Sequence, residues 1–393
     1  MKNLKLNKSA LILFTTILIC ITGCEKNIDS TIQLDCNNPY EISTNTKKEA
    51  YQSIITKYVK KGLPGISVLV EDSTGIWAGS DGFADIENDV RFTPCHISKA
   101  ASITKLLVGT LTLKLQEEGK ININDPISKY IDNDILKKID KAEGKTIKQL
   151  MNHTTGIFDL ITSSKFYLAV INNPNKTWTQ KELLKFVYGE NGYELGNPYP
   201  AHYSNTNTVL LSMCIEAATG QPHDQLLHQK VLDPLGMSST FYQGHDAMPD
   251  YCAQGYFDLH NNGTIVNVTN LITGSGNGYG GIYSNVFDLH HFIKELFVNK
   301  TILSQQSLDL MYDCYHEDDD FYTGVSTVKK FTYKPAWGIG HTGRDLGYAA
   351  DLFYFPQRNI IMVFFVNYGT NGKSDLKQTF LDFEDELVDK ILE

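Results

Sequence analysis

Three serines of this chain are followed three residues later by a lysine: in Ser102-Ile103-Thr104-Lys105, at 326–329 and at 374–377. On a helix, positions three apart share a face, so the two side chains can touch. A serine hydroxyl becomes a useful nucleophile only when a base removes its proton, and a lysine can serve once desolvation and nearby positive potential depress its pKa. Ser102 opens an apolar helical stretch, 102–118, whose N-terminus adds positive potential and backbone N–H groups for an oxyanion. The spacing alone does not select among the three pairs.

Two further clusters could complete such a site. Tyr203-Ser204-Asn205 stands before a helix expected over 207–219, although 283–285 repeats its wording. A tyrosine can pass a proton to a leaving group, and an Asn amide can hold both a substrate carbonyl and a lysine. His341-Thr342-Gly343 closes an expected strand, where Gly lets the backbone come close and Thr and His offer polar groups to an anionic substrate. Order singles out one set: Ser102 and Lys105 on an early helix, Tyr203 and Asn205 on a mid-chain loop, His341 to Gly343 on a late strand edge.

Those positions need a scaffold that joins the two ends of the chain. Alternation of Ile66, Val68 and Val70 marks a strand over 65–71, followed by a turn at 72–75 and a partner strand from Ile76. Near the C-terminus, 337–342, 348–355 and 360–367 read as strands, the last two joined by a turn at 356–359. Leu376, Phe380, Phe383, Leu387 and Ile391 then follow at helical spacing, predicting a closing amphipathic helix. Between these ends, 102–118, 146–151, 181–188 and 207–219 read as helices, so a mainly helical lobe of about 101–284 is expected to be inserted into a sheet lobe of about 47–100 plus 285–393. A small-molecule cleft is expected where the lobes join.

The 393 residues carry a net charge of −10 and no basic stripe, which argues against nucleic acid as a partner. Lys2, Lys5 and Lys8 precede an apolar run from Ala10 to Ile21 that ends at Gly23-Cys24, the pattern of a signal peptide over 1–23. That run is too short for a membrane span, which needs about 20 residues. Small residues before Cys24 resemble a bacterial lipobox, so Cys24 is expected to be lipidated and the mature chain held at an extracytoplasmic membrane face. Removal of the signal leaves a charge of −13, and membrane contact would then come from the anchor. Polar residues 24–46 are expected to form a flexible tether. Five cysteines remain, at 36, 95, 214, 252 and 314; their pairing cannot be read from spacing, and Cys214 is expected to be a buried small hydrophobe. The acidic run 317–320 lacks the alternation of a cation loop and is expected to be solvated. Neither a metal pattern nor a dinucleotide or phosphate loop is present, so no cofactor is expected.

Taken together, Ser102/Lys105, Tyr203/Asn205 and His341/Gly343 resemble the three motifs of the serine β-lactamase and penicillin-binding protein superfamily, in particular its class C β-lactamase, low-molecular-weight DD-peptidase and esterase branch. Flanking stretches share the likeness: 150–156, Pro234-Leu235-Gly236-Met237, and 280–285 with Asp288-Leu289. The resemblance covers roughly 47–393 and implies an α+β, β-lactamase/transpeptidase-like fold, an antiparallel sheet flanked by helices. It implies attack by Ser102 on an amide or ester carbonyl, with Lys105 as general base, Tyr203 relaying the proton and Asn205 positioning Lys105 and substrate. Backbone N–H groups of Ser102 and Arg344 would form the oxyanion hole. His341 stands where many members have Lys, a variation associated with some DD-peptidases. Arg344 replaces a smaller residue and could capture a substrate carboxylate or narrow the cleft. His153, within the 150–156 stretch, is expected to belong to a structural turn.

The expected activity is that of a D-alanyl-D-alanine carboxypeptidase-like serine hydrolase acting on peptidoglycan stem peptides. A β-lactamase or a small-ester hydrolase would use the same residues on another acyl donor. A rival of another class is a non-catalytic lipoprotein that binds penicillin or wall peptide as a sensor.

Overall fold

A computed structural model of the chain describes residues 28–274, 276–370 and 374–393. Its strands are β1 (Gly65–Asp72), β2 (Gly75–Asp85), β3 (Val90–Arg91), β4 (Ser98–Ala101), β5 (Phe241–Tyr242), β6 (Tyr256–Phe257), β7 (Val266–Asn267), β8 (Ile282–Ser284), β9 (Tyr315–Asp318), β10 (Phe321–Thr323), β11 (Val328–Lys330), β12 (Gly338–Asp345), β13 (Tyr348–Phe355) and β14 (Ile360–Val366). Its α-helices are α1 (Lys48–Lys60), α2 (Thr104–Glu117), α3 (Asn133–Leu136), α4 (Ile147–Met151), α5 (Ser164–Asn172), α6 (Gln180–Leu184), α7 (Asn205–Thr219), α8 (His223–Leu227), α9 (Val286–Ile293), α10 (Gln305–Tyr312) and α11 (Asp375–Leu392).

The two ends of the chain meet in one nine-stranded antiparallel sheet of order β3-β2-β1-β14-β13-β12-β11-β10-β9. Ile66 of β1 pairs with Val366 of β14, and β13 lies between β14 and β12. The side-chain period of two sorts this sheet into two apolar faces. Ile66, Val68, Val70, Met362 and Phe364 face a cluster with Tyr51, Ile55 and Tyr58 of α1 and Phe380, Phe383 and Leu387 of α11. Leu69, Val363 and Phe365 face the other way, into the larger core shared with α2, α7 and α9. Burying each such side chain contributes roughly 1.5–3 kcal/mol, so α11 is held by its apolar stripe rather than by propensity. Helix α1 has the same stripe, Tyr51, Ile54, Ile55 and Tyr58. No helix was expected over these residues.

Helix α2 is buried on nearly all sides, as befits an element at the centre of the fold. It follows β4, which pairs with β8 in a small second sheet, β4-β8-β5. The 24–46 stretch does not behave as a free tether where it is described: Ile28 and Thr31 are buried, Thr31 donates from its N–H to Asp85 and from its hydroxyl to the Cys252 carbonyl, and a disulfide joins Cys36 to Cys95. Side-chain hydrogen bonds and a covalent link offset the chain entropy that its polar composition suggested it would keep. Residues 1–27, with the signal segment and Cys24, lie outside the described residues. Among the described residues no helix is long and apolar enough to cross a membrane, and Cys214 is buried in α7, as expected.

Candidate active site

Ser102 sits in the turn between β4 and α2. Ala101 adopts a left-handed backbone, φ +48°, which a residue with a Cβ avoids unless its surroundings enforce it. The enforcing contacts come from Thr104, whose hydroxyl donates to the Ala101 carbonyl at 2.7 Å and accepts the Ile282 N–H at 3.1 Å. The turn is thereby pinned to β8, and Ser102 is presented ahead of the first turn of α2. The other two Ser-x-x-Lys pairs lie elsewhere. Ser326 packs against Gly109 of α2, where a Cβ would fall 2.1 Å from its own. Ser374 caps α11, and Lys377 is exposed.

Lys105 is buried, and its Nζ donates to Ser102 Oγ at 3.0 Å, to Asn205 Oδ1 at 2.7 Å and to the Tyr279 carbonyl at 2.7 Å. All three ammonium donors are used. Burial depresses its pKa to about 7, against the pull of the Asp159 and Asp345 carboxylates in the opposite direction. A lysine in this state can both donate to and accept from the serine near neutral pH.

Asn205 begins α7, and its side chain is fixed from behind. Its N–H and Nδ2 donate to Asp159 Oδ1 at 3.0 and 3.2 Å, and Nδ2 reaches Oδ2 at 3.1 Å. Burial pushes the Asp159 carboxyl up, and the Asn205 donors draw it back. Asp159 was not singled out in the sequence, since it belongs to no motif and its partner is 46 residues away.

The Tyr203 ring lies under Lys105, 4.9 Å from Nζ to its centroid, and stacks on His153 at 4.4 Å. His153 Nδ1 accepts the Ser204 N–H and faces the Asn207 amide, so the imidazole is held as a platform. The turn expected at His153 therefore also buttresses Tyr203. The Tyr203 hydroxyl is buried without a well-formed hydrogen bond. Desolvation raises its pKa well above the ordinary value, and Ser102 is the side chain near enough to oppose this.

His341, Thr342 and Gly343 lie on β12. The partner strand β11 pairs with β12 only over Gly338 to Gly340, so from His341 onward that edge faces the cleft. Gly343 passes under β4 so closely that a Cβ would meet the Ala100 carbonyl at 2.1 Å, which explains the Gly. Burial and the charge of Lys105 lower the His341 pKa to about 3, so the ring is neutral. Its Nδ1 lies 2.6 Å from the Thr342 carbonyl and must carry the proton. Thr342 Oγ1 is shielded and has no partner among the described residues.

Arg344 overturns the expectation placed on its side chain. The guanidinium donates to the Gly343 and Ala350 carbonyls, to Asp351 at 2.8 Å and to Glu384 of α11 at 2.8 Å, and it covers the Phe380 ring. It is engaged in a charge cluster that ties β12 to α11, so its charge is already matched by Asp351 and Glu384 rather than left for a ligand carboxylate. Residue alternation along β12 dictates this, since Arg344 lies on the same face as Asp351, the partner of Thr342.

Ser102, Asp159, Tyr203, Asn205, Thr342 and Arg344 line one cleft of about 350 Å³, together with Ile161, Tyr167, Tyr279, Phe321 and Glu317. The acidic run 317–320, expected to be solvated, is not wholly so, because Glu317 turns into the cleft wall. The residue lies on β9, and its Oε1 accepts the Tyr203 N–H at 2.6 Å. Burial lifts its pKa to about 7. Asp345, also on the cleft wall, pairs with buried Lys99 at 2.8 Å.

The chain matches the model of the Beta-lactamase family over residues 51–386. It belongs to that family. Protein flp of Staphylococcus aureus (strain MW2) is 29% identical over 255 residues, 64% of this chain and 49% of its own length, so the chain spans about half of that relative. The putative penicillin-binding protein PbpX of Bacillus subtilis (strain 168) is 26% identical over 78% of this chain and 79% of its own. Among solved structures, a D-amino acid amidase from Ochrobactrum anthropi SV3 complexed with L-phenylalanine amide superposes with a TM-score of 0.77 at 24% identity, covering 88% of this chain and 99% of the amidase. A D-stereospecific amidohydrolase from Streptomyces sp. gives 0.74 at 24% identity, covering 85% and 97%. At these identities the structural likeness is one of fold. The β-lactamase/transpeptidase-like architecture expected from the motifs is the one observed.

Proposed function

We propose that Ser102 attacks the carbonyl of a small amide, peptide or ester donor and carries the acyl group until water releases it. The supporting observation is the 3.0 Å contact between Ser102 Oγ and a lysine that burial brings to a pKa of about 7. Lys105 takes the serine proton, Asn205 keeps Lys105 aligned, and Tyr203, stacked beside the ammonium, passes the proton toward the leaving group. Ser102 and Arg344 both line the cleft, so their backbone N–H groups are at hand for the oxyanion. Thr342 and the open edge of β12 offer hydrogen bonds to an extended donor.

The donor class we favour is an amide of a D-configured amino acid or short wall peptide. A D-alanyl-D-alanine carboxypeptidase is the second reading, supported by the His341 variant and by the likeness to penicillin-binding proteins. It would have to bind a terminal carboxylate, and among the described lining residues no side-chain cation is left to do so. Outside the cytoplasm, Cys24 would carry a lipid anchor, and the Cys36–Cys95 disulfide suits an oxidising compartment.

Incubation of the protein with p-nitrophenyl acetate should leave one acetyl group on Ser102 and release a matching burst of nitrophenol. Ser102→Ala should show neither, and a burst retained in Ser102→Ala sinks the proposal. Release of free D-alanine from D-alanyl-D-alanine peptides, compared with ammonia from D-amino acid amides, separates the two donor readings. A labelled penicillin adduct that never clears, with no donor turned over, would instead favour the sensor.

A further inference from the structure

The charges around the cleft do not balance in the way an anionic ligand would need. Three carboxyl groups line it, at Asp159, Glu317 and Asp345, and Arg344 is the basic residue on its wall. The guanidinium of Arg344 is consumed by Asp351 and Glu384, all three Lys105 donors are taken, and His341 is neutral. Two of the carboxyls are also satisfied: Asp159 by the Asn205 amides, and Asp345 by Lys99, the Thr273 hydroxyl and the Leu346 N–H. Glu317 is different. One of its oxygens accepts the Tyr203 N–H, while Oε2 is screened from solvent and has no hydrogen-bond partner among the described residues.

A shielded carboxylate oxygen without a donor is costly, and such groups persist where a ligand completes them. The strongest completion is an ammonium, which supplies both a donor and the compensating charge. Glu317 also holds the backbone of Tyr203, whose ring borders Lys105 and whose hydroxyl lies near Ser102. A group bound at Glu317 therefore shares one cleft with the carbonyl that meets the serine.

Resting on the acyl-hydrolase reading above, we propose that Glu317 Oε2 receives a free ammonium group of the acyl donor, making the enzyme selective for aminoacyl amides and peptides with an unblocked amine. The site then discriminates by charge: an N-acylated donor leaves Glu317 unpaired and adds bulk beside it.

The test compares D-alanine p-nitroanilide with its N-acetyl derivative, using wild type and Glu317→Gln, with the p-nitrophenyl acetate burst as a control that lacks an amine. Wild type should prefer the free-amine anilide at least tenfold in kcat/KM. Glu317→Gln should raise KM for that donor about 10- to 100-fold, in the range of a lost charged hydrogen bond, and the loss should be selective, much larger than any change for the N-acetyl donor. Equal use of the two anilides by wild type overturns the proposal whether or not the variant folds. So does a Glu317→Gln loss that falls equally on both anilides, because that would make Glu317 part of the chemistry rather than of recognition. A wild-type burst with neither anilide cleaved also overturns it. Absence of any Ser102-dependent burst is a separate result that removes the acyl-hydrolase reading itself, and this inference with it.

Discussion

Asp159 accepts both the backbone and the side-chain N–H of Asn205, at 3.0 and 3.2 Å. This leaves the Asn205 carbonyl oxygen aimed at Lys105 and places a carboxylate behind the ammonium, where it favours the charged form of the lysine. Asp159→Asn keeps the volume and removes the charge. The acid limb of its kcat/KM profile should move to lower pH, since Lys105 is then more readily neutral. The plateau should fall about tenfold or more, because a weaker base is also less firmly held. A limb that stays in place would show that Asp159 does not act on Lys105.

The pH profile of the wild type follows from the same lysine. Protonated Lys105 cannot accept the serine proton, and its pKa is about 7. Steady-state kcat/KM should therefore rise with pH up to about 7 and level off above it. Lys105→Arg keeps a charge that is never given up near neutrality, and its rate should be lower by a factor of about 100 to 10,000 at all pH values. Substantial activity in that variant would mean that another group takes the proton.

Arg344 provides a stability prediction that separates it from substrate binding. Arg344→Met removes the nearer of two cationic partners of Asp351, leaving Lys330 at 3.9 Å, and one partner of Glu384, and breaking a buried pair in this way costs roughly 3–5 kcal/mol. Asp351 already has its pKa lifted to about 7 by burial. Without the arginine it rises further, and protonation relieves the uncompensated charge at low pH. The destabilisation should therefore be larger at pH 8 than at pH 5 in urea unfolding. KM should change little for any donor, carboxylate-bearing or not. A selective rise in KM for carboxylate donors would restore the role that the sequence suggested.

The parts of the site that the sequence made legible are those written locally. Ser102 and Lys105 stand at i, i+3, the strand at 65–71 shows apolar alternation, and 360–367 opens with a continuous apolar run; these are the segments that pair as β1 and β14. Asp159, Glu317 and the Lys99–Asp345 pair were not legible, because each acts on a residue brought close only by the fold. The dense acidic surroundings of Glu317 read as a solvated run, and nothing in their spacing says that one member turns inward. The expected strand stopped at 342, short of Arg344, which β12 in fact includes, and a partner 40 residues away on α11 decided where its side chain points. By contrast α1 was there to be found: Tyr51, Ile54, Ile55 and Tyr58 follow i, i+3, i+4, i+7.

His341 shows what an imidazole in place of an ammonium does to this fold. It is buried, neutral, and reaches a pKa of about 3 in the native state, while an unfolded histidine titrates near its ordinary value of about 6.5. Between these values the unfolded chain binds a proton that the native chain does not. Native stability must therefore fall as pH drops through that window, by up to about 1.4 kcal/mol per pH unit from this residue. Above about pH 6.5 neither state binds the proton, and the contribution is flat. His341→Gln retains an amide N–H for the Thr342 carbonyl and has no titration. Its unfolding free energy, measured by urea melts from pH 8 to pH 4, should decline less steeply than that of wild type, with the two curves diverging only below about pH 6.5. Parallel curves across the whole range would mean that His341 gains its proton without penalty and is not held neutral by burial.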